Sequence, residues 1–316
     1  MTADPDKLQA LVGRILGDVG ATATAALVVL GDRLGLYKAL AEGGAVTPAE
    51  LAARTDLAER YLREWLSAQA AAGYIEYDAA EGRFSMTAEQ ATAFADENGP
   101  AFMPGAFQVF ASMFIDEAKI AEAFRTGKGV GWHEHHPCLF HGTERFFRPG
   151  YASYLIDAWI PALDGVKEKL EHGAAVADVG CGHGASTILM AKAFPKSRFA
   201  GFDYHWPSVE RAREAAREAR VEDRAFFEVA AAKAYPGGSY DLVTFFDCLH
   251  DFGDPVGAAA HVRSTLSPEG SWMIVEPFAN DELVDNLNLV GRIYYAASTM
   301  ICTPASLSQE IGLGLG

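Results

Sequence analysis

The densest chemistry in this 316-residue sequence is the run Asp178-Val179-Gly180-Cys181-Gly182-His183-Gly184, followed by Asp203. Glycines at alternate positions allow a tight turn and bring a ligand close to the backbone. The free N–H groups of a helix starting there can then hydrogen-bond that ligand. Asp203, at the end of the next strand, is placed to accept hydrogen bonds from ribose hydroxyls. These features fit any adenosine cofactor, and Gly180-x-Gly182-x-x-Ala185 also satisfies the dinucleotide pattern with alanine in third place. A merely tight strand-to-helix turn is the plainer alternative. Asp178 separates the cofactors: a carboxylate two residues before the first glycine repels a pyrophosphate. It attracts a methionine ammonium, directly or through the loop carbonyls. The cofactor expected is therefore S-adenosylmethionine rather than NAD(P), with Asp178, Gly180, Cys181, Gly182, Gly184 and Asp203 in its site.

A second group lies downstream. His250 sits just past an apolar strand, in Leu249-His250-Asp251-Phe252-Gly253-Asp254. A hydroxyl acceptor must lose a proton as it attacks an electrophilic carbon, and histidine suits that role near neutral pH. Glu276, ending the neighbouring strand, is placed to hold the imidazole in the productive tautomer. Asp247, nearer the strand end, faces the methionine part of the cofactor. The structural alternatives are a loop-bracing histidine and a glutamate that caps the turn before Pro277. Upstream, Trp132, His133, Phe146, Phe147 and Tyr151, with Met103 and Phe107, suggest a large apolar acceptor pocket that Tyr294 and Tyr295 could close. The cluster His133-Glu134-His135-His136 lacks the i, i+4 spacing of a helical HExxH site, and Pro137 disfavours a helix there, so no metal is expected.

These residues need a scaffold that delivers strand ends. From residue 173 strands alternate with helices: Ala175–Val179, Arg198–Phe202, Ala225–Val229, Tyr240–Phe246 and Ser271–Val275 read as strands. Helices are expected at Ser186–Phe194, Ser208–Arg220 and Gly257–Leu266. Strands separated by helices pair in parallel through right-handed crossovers. The fold class is α/β, a doubly wound, mostly parallel Rossmann-like sheet whose ligands lie at the carboxyl ends of its strands. Residues 173–316 form this domain and 99–172 a helical linker and pocket segment.

Residues 1–98 read differently. Leu8, Val12, Ile15 and Leu16 recur at helical spacing. Thr47-Pro48 with Glu50 is a capping signal, and Asp56 is a plausible cap for a helix whose apolar face is Leu57, Tyr61, Leu62, Trp65 and Leu66. Gly73 ends that helix, and a hairpin follows around Asp78–Gly82. Helix, helix, helix, hairpin is a winged-helix order. The segment carries eight basic and fifteen acidic residues, and Glu59 and Glu64 cancel Arg60 and Arg63 on the would-be recognition helix. Without a cationic face the phosphate attraction of DNA binding is missing, so a scaffold or dimerisation module is expected.

Together these motifs resemble class I S-adenosylmethionine-dependent methyltransferases with an N-terminal winged-helix-like domain, a bacterial group related to small-molecule O-methyltransferases. The resemblance covers nearly the whole chain. It implies that Asp178–Gly184 is the glycine motif, Asp203 the ribose acid with Tyr204 beside the adenine, and His250 and Glu276 the catalytic pair. It also implies a homodimer closed through the winged-helix domain, which lends residues to the active site. Two departures stand out. Many relatives carry an acid after the third strand, whereas this chain has Ala230-Ala231-Ala232, leaving the backbone around Ala231 or apolar packing to meet the adenine. Such domains also end with a helix and an antiparallel strand pair, and the residues after Val275 are too few for both, so a missing natural C-terminal end is expected.

Composition bounds the partners. Acids outnumber bases 42 to 26, a formal charge of −16, which disfavours nucleic acid and anionic membranes. Four dispersed cysteines suggest a reducing compartment, and the apolar run 21–30 is too short to span a bilayer, so a cytoplasmic protein is expected. The expected activity is methyl transfer to a hydroxyl of a hydrophobic or aromatic small molecule. An NAD(P)-dependent oxidoreductase and a ligand-sensing winged-helix regulator are the alternatives.

Overall fold

The computed structural model describes residues 3–316 and divides into two compact units, one through Ala111 and one from Ser112 onward. The segment 99–172 is shared between them rather than standing alone.

In the first unit, α1 (Pro5–Arg33) is followed by α2 (Leu36–Gly43), α3 (Pro48–Thr55) and α4 (Glu59–Ala71), then by the hairpin β1 (Glu76–Asp78) and β2 (Arg83–Ser85), and by α5 (Ala88–Phe94). The capping box at Thr47 forms as its sequence requires, with Glu50 reaching back to the Thr47 N–H at 2.8 Å. Asp56 departs from expectation. It closes α3 in the left-handed conformation, and Ala58, without a side-chain cap, starts α4. Leu62, Trp65 and Leu66 are buried, but Tyr61 is 81% exposed, because one more step around the helix carries it off the buried face. Trp65 is the keystone: its indole N–H donates to the Leu27 carbonyl at 2.9 Å, and a Cβ on Gly31 would stand 2.4 Å from its ring. On α4, Arg60 and Arg63 are each paired with a glutamate one turn away.

α1 is a single helix of 29 residues. Its most apolar 18-residue window has a mean hydropathy of 1.5 and is 11% buried, so by length and composition the helix could cross a membrane. This corrects the short run expected at 21–30: alanine, threonine and glycine continue the helix on both sides without adding charge. Leu8, Val12, Ile15, Leu16 and Val19 all lie exposed.

The second unit takes most of α6 (Pro104–Thr126), which begins in the first, and then α7 (Cys138–Tyr154) and α8 (Val166–His172). The sheet follows: β3 (Ala175–Val179), α9 (Ala185–Ala193), β4 (Arg198–Asp203), α10 (Trp206–Ala219), β5 (Ala225–Val229), β6 (Tyr240–Phe246), α11 (Pro255–Thr265) and β7 (Leu266–Val275). Its order is β5-β4-β3-β6-β7, every pair parallel, with Val179 level with Phe202 on one side and Phe245 on the other. β7 starts five residues earlier than the apolar pattern implies, because Leu266 pairs with Tyr240 before the register shifts. One face of the sheet packs Val176, Phe199, Phe227 and Met273 against Met190 and Ala212; the other packs Val179, Phe202, Phe245 and Val262. After β7 come α12 (Leu289–Ala297) and α13 (Thr303–Leu307).

The chain order reverses between β3 and β6, and doubly wound sheets bind their ligands at such switch points. The loops leaving these two strands touch: the Cys248 thiol lies 3.3 Å from the Val179 carbonyl.

Candidate active site

The three loop glycines are required for three different reasons. All have positive φ. A Cβ on Gly180 would press on Cys248 at 2.7 Å, and one on Gly184 would meet the Phe227 ring at 2.8 Å. A Cβ on Gly182 would meet nothing within 4 Å, so that glycine faces open space. The loop is braced from below. The N–H groups of Gly180 and Cys181 donate to the Phe202 carbonyl, and that of Gly182 donates to Asp203 Oδ2 at 3.0 Å. Asp203 also accepts from the His205 N–H at 2.8 Å. Burial pushes its carboxyl up against those bonds. One acid thus shapes the turn and still presents lone pairs beside it.

Asp178 does not reach outward. It is 1% exposed and accepts from Ser186 and Thr187 with one oxygen and from Thr244 with the other, at 2.7, 2.5 and 2.9 Å. The Thr187 N–H at the start of α9 points to it as well. Direct contact with a ligand ammonium is therefore corrected to a buried brace: the carboxyl sits under the helix start, where a parallel strand turns alternate residues inward. Burial pushes this carboxyl up against the hydroxyls that hold it. The Cys181 side chain is likewise buried in the core, leaving only its backbone at the loop. Tyr204 is 46% exposed, its ring edge-on to His133 at 6.1 Å. Ala231 lies exposed after β5, where the Ala230 N–H bonds the Asp203 carbonyl.

The loop after β6 carries the second group. Asp247 adopts φ +51, a strained conformation for a residue with a side chain, and its Oδ2 accepts from the Tyr151 hydroxyl at 2.7 Å. Burial, opposed by that hydroxyl, lifts the Asp247 carboxyl to about 7. The Tyr151 phenol is pushed up by burial and by the Asp247 charge. Tyr151 therefore joins the acid proposed for the cofactor, while its ring continues a row with Phe147, Trp159 and Phe246.

Glu276 does more than a loop cap. Oε1 accepts the Cys248 and Leu249 N–H groups at 3.2 and 2.7 Å, and Oε2 is hydrogen-bonded to His250 Nδ1. The other imidazole nitrogen stands 3.4 Å from Asp251 Oδ1. Burial pulls the His250 pKa down, but the Glu276 hydrogen bond and the charges of Asp251, Glu276 and Asp247 prevail and lift it to about 9. Asp251 and Cys302 were not legible as members of this group. The Cys302 thiol donates to Asp251, whose carboxyl is pushed up by burial. The last residues close over the same loop, with Gln309 donating to the Asp251 carbonyl at 2.7 Å.

The aromatic segment is only partly assembled as expected. Phe146 and Phe147 pack edge to face at 5.0 Å, and Trp132 packs on Phe140 at 5.5 Å. Phe107 belongs to the first unit's core beside Tyr74, and Tyr294 and Tyr295 lie at the surface of α12. The histidine cluster disperses among separate partners. His135 Nδ1 pairs with Asp116 at 3.2 Å, His136 Nδ1 accepts the Cys138 N–H at 3.2 Å, and Glu134 caps the Gly131 N–H at 2.7 Å.

This geometry suits an adenosine cofactor bearing an amino-acid tail: an open Gly182, with carboxyls at Asp203, ending β4, and Asp247, following β6. Comparison with known proteins agrees. Residues 170–311 match the family described as a methyltransferase domain, and residues 22–95 the Rv2258c-like winged HTH domain. The 27-O-demethylrifamycin SV methyltransferase of Amycolatopsis mediterranei is 35% identical over 103 residues, which are 32% of this chain and 38% of that enzyme. The chain thus spans less than half the length of the curated relatives it matches. A putative O-methyltransferase from Nostoc punctiforme superposes with a TM-score of 0.70 at 17% identity, covering 99% of this chain and 89% of its own. Human N-acetylserotonin methyltransferase in complex with SAM superposes at 0.64 with 16% identity, covering 95% and 87%. The chain thus carries a methyltransferase domain at residues 170–311 behind a winged-helix domain at residues 22–95, in the fold these solved methyltransferases share.

Proposed function

We propose that this protein transfers a methyl group from S-adenosylmethionine to a hydroxyl of a hydrophobic or aromatic small molecule, with His250 as the base. The observation that carries the reading is the Glu276–His250 pair beside the glycine loop at the switch point of the sheet. When bound, S-adenosylmethionine supplies an electrophilic methyl on a sulfonium, a reaction that needs alignment more than covalent help. Gly182, Asp203, Tyr204 and the backbone near Ala231 hold the nucleoside, and Asp247 holds the amino-acid tail. Trp132, His133, Phe146, Phe147 and Tyr295 line the acceptor side, and Tyr151 orients Asp247 there. Glu276 keeps the Nδ1 proton of His250, so Nε2 is the atom that takes the hydroxyl proton.

With its pKa near 9, His250 holds a second proton at neutral pH and must shed it first. Any cation brought among Asp247, Asp251 and Glu276 weakens its hold on that proton. The same raised pKa favours a second reading, in which the imidazolium donates to the acceptor oxygen and orients it. The two readings differ in sign: a base gives a rate that rises with pH through the imidazole's pKa, and a donor gives one that falls.

The protein is proposed to act in the cytoplasm as a homodimer in which the exposed apolar residues of α1 cover those of a second copy. The DNA-binding alternative draws no support from the arginines of α4, each paired with a glutamate. A screen of hydroxylated aromatics and lipids with methyl-labelled S-adenosylmethionine tests the proposed activity. Label transferred to a phenol or alcohol supports it, and label transferred only to amines or carbon acids overturns the hydroxyl assignment.

A further inference from the structure

His141 and Glu144 lie one turn apart on α7, and both face His183, the residue between the last two loop glycines. His183 Nδ1 is 2.9 Å from Glu144 Oε2, and the rings of His141 and His183 are 5.5 Å apart. One ligand atom from each of the three lies within 4.8 Å of the other two. Metal–ligand bonds of about 2.0–2.2 Å in a tetrahedron separate donor atoms by about 3.3–3.6 Å, within reach of small side-chain rotations here. The backbone already supplies the spacing, since i and i+3 residues share one helix face.

We propose that His141, Glu144 and His183 form a site for a divalent first-row metal ion of the zinc class, which ties α7 to the glycine loop. Two imidazole nitrogens and one carboxylate oxygen are a donor set suited to Zn2+, Ni2+ or Co2+ rather than to Mg2+ or Ca2+. The ion takes the place of the His183 Nδ1–Glu144 Oε2 hydrogen bond, with the imidazole N–H on Nε2, and its fourth position stays open to water. Three arginines bring positive charge to this cluster, Arg145, Arg148 and Arg211. Arg148 is 3.9 Å from Glu144 Oε1, the oxygen turned away from His183, and Arg211 is held by Glu218 at 3.1 and 3.2 Å. The site lies outside the His250 group and takes no part in the proposed methyl transfer.

The test is a Zn2+ titration of tag-free full-length protein against a chromophoric chelator, repeated with Co2+ to read ligand-field bands. One ion per chain is expected, with a four- or five-coordinate Co2+ spectrum. His141→Ala should weaken binding by at least about 100-fold, because losing even an outer-shell partner of a metal ligand costs about 10–100-fold. His141 is exposed, so this change leaves the fold intact. Glu144→Gln should weaken binding without removing side-chain volume. Cys302→Ser, which alters the separate His250–Asp251–Cys302 group, should leave it unchanged. Absence of binding, binding indifferent to His141→Ala, or binding lost with Cys302→Ser overturns the proposal. These readouts need no cofactor, so failure of S-adenosylhomocysteine to bind would count against the methyltransferase reading alone.

Discussion

Glu276 grips His250 Nδ1 just past the end of β7 and leaves Nε2 of the same ring 3.4 Å from Asp251 Oδ1. Its other oxygen is spent on two backbone N–H groups of the same loop, so the carboxylate cannot swing away without undoing the turn. Glu276→Gln keeps the shape and removes the charge. Turnover should fall about 10–100-fold, and the kinetic pKa should move down from near 9 toward that of an ordinary imidazole. The pH–rate profile of the variant checks both, with S-adenosylhomocysteine affinity expected to stay nearly unchanged.

His250→Ala should cost about 100- to 10,000-fold in turnover, the usual reach of a general base, with cofactor affinity nearly intact. His250 also carries a stability signature. Its folded pKa of about 9 lies above the unfolded imidazole value near ~6.5. The contribution is therefore complete below the unfolded value and is lost as pH rises through the folded one. It amounts to about 3 kcal/mol at most, and His250→Gln should flatten that part of the stability–pH curve. Urea melts between neutral and alkaline pH read it.

Asp247 titrates in the opposite functional sense. With its carboxyl lifted to about 7, it is neutral below that pH and charged above it. If it holds an ammonium, S-adenosylhomocysteine should bind more tightly as pH rises through 7, and Asp247→Asn should abolish the dependence. Tyr151→Phe removes the hydroxyl that favours the charged form, so the same transition should move to higher pH. Calorimetric titrations at several pH values measure the shift.

The glycine loop gives a contrast between two small substitutions. Gly184→Ala forces a methyl against Phe227 and Ala212 and should destabilise the fold by roughly 2–3 kcal/mol, strain and overpacking together. Gly182→Ala meets no neighbour and should cost only about 1–2 kcal/mol for its left-handed backbone. Yet it should weaken cofactor binding far more than its stability loss explains. Thermal melts with and without S-adenosylhomocysteine separate the two effects.

Much of this arrangement was readable from residue types. The strands of the second unit show as apolar runs bounded by glycine, proline and charge, and Asp203, His250 and Glu276 fall at strand ends where chemistry collects. What escaped depends on direction and distance. The inward turn of Asp178 follows from the pleat of a strand buried on both faces, which leaves no alternation to read. Tyr151 and Asp247 meet across 96 residues, and no local pattern announces that bond. The pair His141 and Glu144 was hidden in a segment whose aromatics and His133–His136 run drew the reading. In α1, small residues extend an apolar helix that a search for leucines breaks short.

The exposed face of α1 yields a prediction about assembly. Leu16→Glu and Val19→Glu place charges where the exposure is 65% and 60%. If this face joins two copies, sedimentation velocity should show dimer for the wild type and monomer for the double variant, with helical content preserved. A wild type that sediments only as monomer contradicts the proposal.

Everything proposed for the site rests on which nucleotide the loop after β3 accepts. Isothermal titration of the purified chain with S-adenosylhomocysteine and, separately, with NADPH addresses that directly. The account predicts saturable binding of one S-adenosylhomocysteine per chain, lost in Asp203→Ala, and no heat from NADPH. Saturable NADPH binding with silence toward S-adenosylhomocysteine would contradict it.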